Sequence, residues 1–176
     1  MPYLCPPEPF WEESIVSYLH RYAEFYSCSL NWVINKIDKT IRNKTNRYIS
    51  LQDTEYTHEI SLLTGLSKSK IENMCLNKYG NGINLLKKDS PKICLNVSTT
   101  KVCIACLKEN MYHRIFWQLK LINICEKHNV YLTHICEKCK SNFAVEDIMR
   151  GSCKCGYKFV DMNTRECFDL DLIKTC

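Results

Sequence analysis

Four pairs of residues of metal-ligand type follow one another in the C-terminal half of this chain: Cys103-x-x-Cys106, Cys125-x-x-His128, Cys136-x-x-Cys139 and Cys153-x-Cys155. Thiolate sulfur and imidazole nitrogen are donors that Zn2+ prefers, and two of them separated by two residues can wrap a knuckle aimed at one tetrahedral ion. A loop then brings the second pair. Sequential pairing predicts two structural zinc ions. One site has three cysteines and a histidine, Cys103, Cys106, Cys125 and His128; the other is all cysteine, on Cys136, Cys139, Cys153 and Cys155. Interleaved, cross-brace pairing is the alternative. A catalytic zinc usually keeps three protein ligands and an open position. Here each site can be closed by four, and the sequence has no H-E-x-x-H pattern, so the ligands indicate scaffolding. His113, a spare imidazole near the first knuckle, reads as structural, and His134 as standing beside the second site.

The rest of the composition is that of a folded protein, 45% hydrophobic and 24% charged, which excludes a mostly disordered chain. Seven of the thirteen cysteines lie in the ligand pairs. No apolar run approaches the roughly 18–20 residues that span a bilayer, and Met1 to Phe10 has neither the basic start nor the apolar stretch of a secretory signal. A cytoplasmic, reducing location is therefore expected, where clustered cysteines are more often ligands than disulfides. Cys5, Cys28, Cys75, Cys94, Cys167 and Cys176 have no partner at ligand spacing, and Cys28 and Cys75 read as small buried apolar residues. The formal charge is +5. Roughly seven thiolates on two divalent cations reduce it to about +2, too little to argue nucleic-acid binding from net charge alone.

The N-terminal half must supply the frame. Ile15, Leu19, Tyr22, Ala23 and Tyr26 recur at helical spacing and predict a helix from Glu12 to Tyr26, with Glu12 and Glu13 in its first turn. Ser29 is the expected N-cap of a second helix carrying Leu30, Val33, Ile34 and Ile37. The segment Lys39 to Ile49 reads as a loop. A third helix is predicted over Thr54 to Thr64, capped by Asp53, with Tyr56, Ile60 and Leu63 inward. Gly65 then ends it, Leu66 plugs the joint and Ser67 caps a fourth helix with Ile71, Met74 and Cys75, a helix-turn-helix-like arrangement. Asn77 to Thr100 reads as a linker. The near-alternation at Ile115, Trp117, Leu119 and Leu121, and again at Tyr131 and Leu132, predicts short strands. The tail from Asp161 could form one short helix. The expected fold is α plus small β: a helical, helix-turn-helix-like domain over 1–95, two tandem zinc-finger modules over 96–160 and a short tail over 161–176.

The stretch VCIACLKENMYHRIFWQLKLINICEKHNVYLTHICEKC, with the opening Pro9-Phe10-Trp11-Glu12-Glu13-Ser14-Ile15 and Ser17-Tyr18-Leu19-His20-Arg21, resembles the TniQ family of target-selection proteins from Tns-type transposons. The resemblance covers about Glu8 to Phe159. Cys153-x-Cys155 stands where some relatives have CxxC. The chain is similar in length to the short TniQ proteins of CRISPR-associated transposons. That resemblance implies a bacterial, non-enzymatic adaptor that joins a guide-RNA-bound CRISPR effector and its guide or tracr RNA to a TnsC-like AAA+ ATPase. It implies DNA contact mainly through the assembly, with no membrane and no small-molecule substrate.

Candidate partner-binding residues are Phe10, Trp11, Arg21, Arg114 and Trp117, since aromatic and arginine side chains dominate interface energetics. Lys138, Lys140, Arg150, Lys154 and Lys158 around the second finger, with Lys68 and Lys70 on the fourth helix, are candidate phosphate contacts. The alternative function is a sequence-specific DNA-binding regulator that reads a duplex through the helix-turn-helix.

Overall fold

Ser14 begins the first helix. Its backbone is extended and its Oγ accepts the Ser17 amide at 3.3 Å, so α1 runs Ile15–Phe25. A start at Glu12 is ruled out by that residue's φ of +54°, which turns the chain instead. Glu13 is therefore no first-turn dipole residue. It is buried, and its carboxylate accepts the Ser17 hydroxyl (2.8 Å), the Phe10 amide (3.0 Å) and two nitrogens of Arg21 (2.9 and 2.7 Å). Arg21 also donates to the Glu8 carbonyl at 2.9 Å and lies 4.0 Å over the Phe10 ring. One ion pair thus fastens the segment 8–13 onto α1.

The computed structural model describes residues 5–41, 51, 54–76, 96 and 99–167. The chain divides into two compact units, Met1–Pro91 and Lys92–Cys176. Asp53, the loop over 42–49, the linker over 77–95 with Cys94, and the tail from Phe168 to Cys176 lie outside the described residues. Among the described residues no helix is long and apolar enough to cross a membrane.

In the first unit, Ile15, Leu19, Tyr22 and Ala23 are buried as their spacing predicts, while Tyr26, at the end of the helix, is exposed and packs on Tyr22. Helix α2 (Leu30–Ile37) is capped by Ser29, whose Oγ accepts the Trp32 amide at 3.2 Å, and buries Val33, Ile34 and Ile37. The single helix expected from Thr54 is a 3-10 turn, Thr54–Tyr56, leading into α3 (Thr57–Thr64). Gly65 ends α3 in the left-handed conformation at φ +74°, Leu66 is buried, and Ser67 caps α4 (Lys68–Asn73) by accepting the Lys70 amide. The Ile15 amide donates to the Met74 carbonyl at 3.0 Å, tying the end of α4 to the start of α1.

The second unit is made of very short pieces. Helix α5 (Ile104–Glu109) and helix α6 (Val145–Arg150) accompany a three-stranded antiparallel sheet of β1 (Ile124–Cys125), β2 (Val130–Tyr131) and β3 (Arg165–Glu166), ordered β1-β2-β3. Cys125 pairs with Val130, and Val130 pairs in turn with Glu166. Within the described part of the tail, Arg165–Glu166 is a strand and not part of a helix; the remainder of the segment expected as a short helix, 168–176, lies outside the described residues. Ile115–Gln118 is a 3-10 turn and not a strand: the Trp117 amide donates to the Arg114 carbonyl, and Trp117 and Gln118 are both buried, which breaks strand alternation. Val102, Trp117, Leu132, Phe143, Ile148, Phe159 and Met162 form the core together with Cys103, Cys106, Cys125, Cys136 and Cys153.

Arg21→Ala leaves the Glu13 carboxylate buried without its cation. It should lower the stability of the first unit by about 3 kcal/mol, and Arg21→Lys, which keeps the charge but loses the bidentate fork, should cost less. Denaturant unfolding followed by tryptophan fluorescence checks both.

Candidate metal centres

The ligand types converge by sequential pairing. Cys103 caps the N-terminus of α5 and Cys106 sits in its first turn, with the Cys106 amide donating to Cys103 Sγ at 3.4 Å. Cys125 ends β1 and His128 stands in the turn to β2. His128 Nδ1 lies 3.5, 3.3 and 3.5 Å from the sulfurs of Cys103, Cys106 and Cys125, and the Cys106 and Cys125 sulfurs are 3.6 Å apart. In the second group the Cys136 and Cys155 sulfurs are 3.8 Å apart, and those of Cys139 and Cys153 are 3.5 Å apart. Within each group all four donor atoms lie within 4.8 Å of one another. A tetrahedron built on the usual zinc–sulfur and zinc–nitrogen bonds has edges of roughly 3.5–3.8 Å, so both groups fit such an ion.

The protonation chemistry also points to a cation. Hydrogen bonding with Cys103 and Cys125, then burial, pushes the Cys106 thiol up, whereas hydrogen bonds from Cys103 and Cys106 hold Cys125 down. Three sulfurs so close cannot all ionise unaided. A divalent ion removes that restriction and makes each a thiolate ligand. The two sites differ in exposure: Cys103, Cys106 and Cys125 are all buried, while Cys139 and Cys155 of the second group are exposed.

The local backbone shows why these spacings work. Each of the last three pairs is followed by a residue with positive φ: Asn129 at +52°, Lys140 at +59° and Gly156 at +83°. The amide of that residue closes the knuckle on the carbonyl of the pair's first ligand, Asn129 to Cys125 at 2.8 Å, Lys140 to Cys136 at 3.0 Å and Gly156 to Cys153 at 2.8 Å. Cys153-x-Cys155 is one residue shorter than the others, so its closing turn is one residue tighter and places glycine at the left-handed position. The first pair needs no such turn, because the helix N-terminus itself supplies the amide.

Neither spare histidine joins a metal group. His113 is fully buried, Nε2 lies 2.8 Å from Thr100 Oγ1, and its ring meets Trp117 edge-on; burial pushes its pKa down to about 3. His134 is exposed beside the second group. Three structural residues carry no readable signal in the sequence. Lys101 is buried and donates from Nζ to the Lys120 carbonyl (2.8 Å) and Asn123 Oδ1 (3.0 Å), and burial lowers its pKa to about 8. Thr100 holds His113, and Glu109 contacts His128 Nε2 at 3.0 Å.

The remaining candidates separate by burial. Phe10 is 40% and Trp11 67% exposed, at the rim of a cavity of about 410 Å³ that Lys70 and Met74 also line. Arg21 is committed to Glu13, Glu8 and Phe10. Arg114 is buried with its guanidinium over Tyr112, and Trp117 is buried in the core, so neither is presented at the surface. Lys138, Lys140, Lys154 and Lys158 are exposed, Arg150 pairs with Asp147, Lys68 is exposed, and Lys70 pairs with Glu8 at 2.6 Å.

A family model, TniQ, matches residues 4–132, well over half of the chain, running from the N-terminal segment through the first metal group. No curated protein matches the chain.

Gly156→Ala should destabilise the second unit by about 1–2 kcal/mol, whereas Lys140→Gly should be neutral or stabilising, as read by thermal unfolding of the metal-loaded protein. The folded pKa of His113, about 3, lies below its ordinary value of 6.5. The unfolded chain therefore binds the extra proton between those values, and stability falls as pH drops from 6.5 towards 3. His113→Gln should show a shallower loss over that window than the wild type in parallel denaturant titrations.

Proposed function

We infer the function of this chain from its family: it belongs to TniQ, whose members are transposition-associated and generally non-catalytic. It acts as a target-selection adaptor of a Tns-type transposon, joining a guide-RNA-bound CRISPR effector, or another targeting factor, to a TnsC-like AAA+ ATPase that brings the transposase. The observation that carries this reading is the exposed Trp11 on a segment fastened by the Glu13–Arg21 pair. A large aromatic side chain held outward on a rigid mount is what a protein partner can use as an anchor. Phe10, the residue before it, lies under the Arg21 guanidinium.

Each tetrad holds one zinc ion in a structural role. Its donor set is soft and complete at four ligands, and the two ligand pairs of each tetrad come from separate segments of the chain. The bound ion supplies a cross-link between those segments. Lys138, Lys140, Lys154 and Lys158, all exposed around the second tetrad, contact RNA phosphates through charge without reading sequence.

The duplex-reading alternative is less well supported. Helix α4 has only six residues, and Lys70 on it is engaged by Glu8. Selective, tight retardation of a duplex by the protein alone in a competition gel shift would favour it.

Trp11→Ala should weaken capture of a TnsC-like ATPase about 30-fold, the size of a 2 kcal/mol hot spot, with unchanged thermal stability. Cys103→Ala and Cys136→Ala should each abolish RNA-guided integration in a reconstituted reaction. Integration that survives both cysteine substitutions contradicts the adaptor's dependence on its metal-stapled unit.

A further inference from the structure

We propose that Glu109 is a positioning residue for the first metal site, fixing His128 so that Nδ1 is the nitrogen offered to the ion. This rests on the zinc reading above. A Cys-x-x-His pair does not by itself determine which imidazole nitrogen ligates. Here His128 Nδ1 faces the three sulfurs at 3.3–3.5 Å, while Nε2 lies 3.0 Å from Glu109 Oε1. An ionised carboxylate only accepts hydrogen bonds. The imidazole proton therefore sits on Nε2, and the lone pair sits on Nδ1, inside the tetrad.

The placement of Glu109 is built in twice. It is the last residue of α5, the helix whose N-terminal turn carries Cys103 and Cys106, and it follows Cys106 by three residues, a spacing that stacks side chains on one helical face. A single rigid element thus holds two ligands and the acid that aims a third. The other carboxylate oxygen, Oε2, pairs with Lys127, the residue before His128, so the acid grips the turn at two adjacent points. A negative side chain at a helix C-terminus is disfavoured by the helix dipole, so helix stability does not account for glutamate there. Orientation of His128 does. The all-cysteine tetrad of Cys136, Cys139, Cys153 and Cys155 has no ring to orient and serves as the internal control.

The test titrates full-length protein with Zn2+ against a chromophoric chelator and records long-range 1H–15N spectra of His128 in the loaded protein. The wild type should bind two ions and show a metal-bound Nδ1 with a protonated Nε2. Glu109→Ala should weaken the first site roughly 10–100-fold, the range found on removing such outer partners, and leave the second site unchanged. Glu109→Gln, whose amide oxygen still accepts from Nε2, should recover Nδ1 ligation and most of the affinity. Lys127→Ala should leave first-site affinity near that of the wild type. Equal affinity in wild type and Glu109→Ala, ligation through Nε2, or an equal loss in Lys127→Ala overturns the proposal. A wild type whose first site takes no zinc overturns the zinc reading itself, which the stoichiometry reports separately.

Discussion

The second unit depends on eight donor atoms being drawn to two points. Its strands are two residues long and its helices six, lengths at which neither a hairpin nor a helix is stable alone in water. Five of the seven ligand cysteines are also core residues: Cys103, Cys106, Cys125, Cys136 and Cys153 pack among Val102, Phe143, Ile148 and Phe159. Binding of an ion at either tetrad would therefore be inseparable from core formation. A structural zinc site contributes roughly 10–16 kcal/mol of apparent binding energy, more than a whole small domain usually has in reserve. The ion's absence would undo the apolar core along with the knuckles.

The first unit solves a different problem with ordinary means. Among its described residues, the side-chain caps Ser14, Ser29 and Ser67 and the left-handed Gly65 set helix boundaries, and the apolar faces of the helices fill its core. Among its described residues the buried charged side chain is Glu13, held by Arg21, Ser17 and the Phe10 amide. That network is poor evidence of stability for its own sake. Its structural effect is to hold the chain ahead of α1 in one course, with Trp11 outside. The proposed adaptor role needs surfaces whose geometry does not change between partners, and each unit would provide one by its own route.

Much of this is legible in the sequence, for local reasons. The four ligand pairs, Ser29, Ser67 and Gly65 each act within a few residues of their position, so spacing alone reveals them. What stays hidden acts at a distance. The role of Glu13 depends on Arg21 eight residues on, so the local pattern points to Glu12 as the helix start. Arg165 and Glu166 form a strand only because Val130 and Tyr131 are there to pair with. Ile115–Gln118 has an alternating composition but buries consecutive residues. Arg114, Trp117 and Arg21 have the residue types of an interface, and the same types also make buried anchors, a distinction that only burial resolves. Glu109 carries no motif at all until the fold brings His128 beside it.

The central claim is that the second unit folds around two metal ions, and native mass spectrometry of the purified chain with alkylation of its thiols tests it most directly. The account predicts two zinc ions per chain, with the seven cysteines of the tetrads protected until a chelator is added. A metal-free chain that keeps its tertiary near-ultraviolet signal while those cysteines alkylate freely would contradict it.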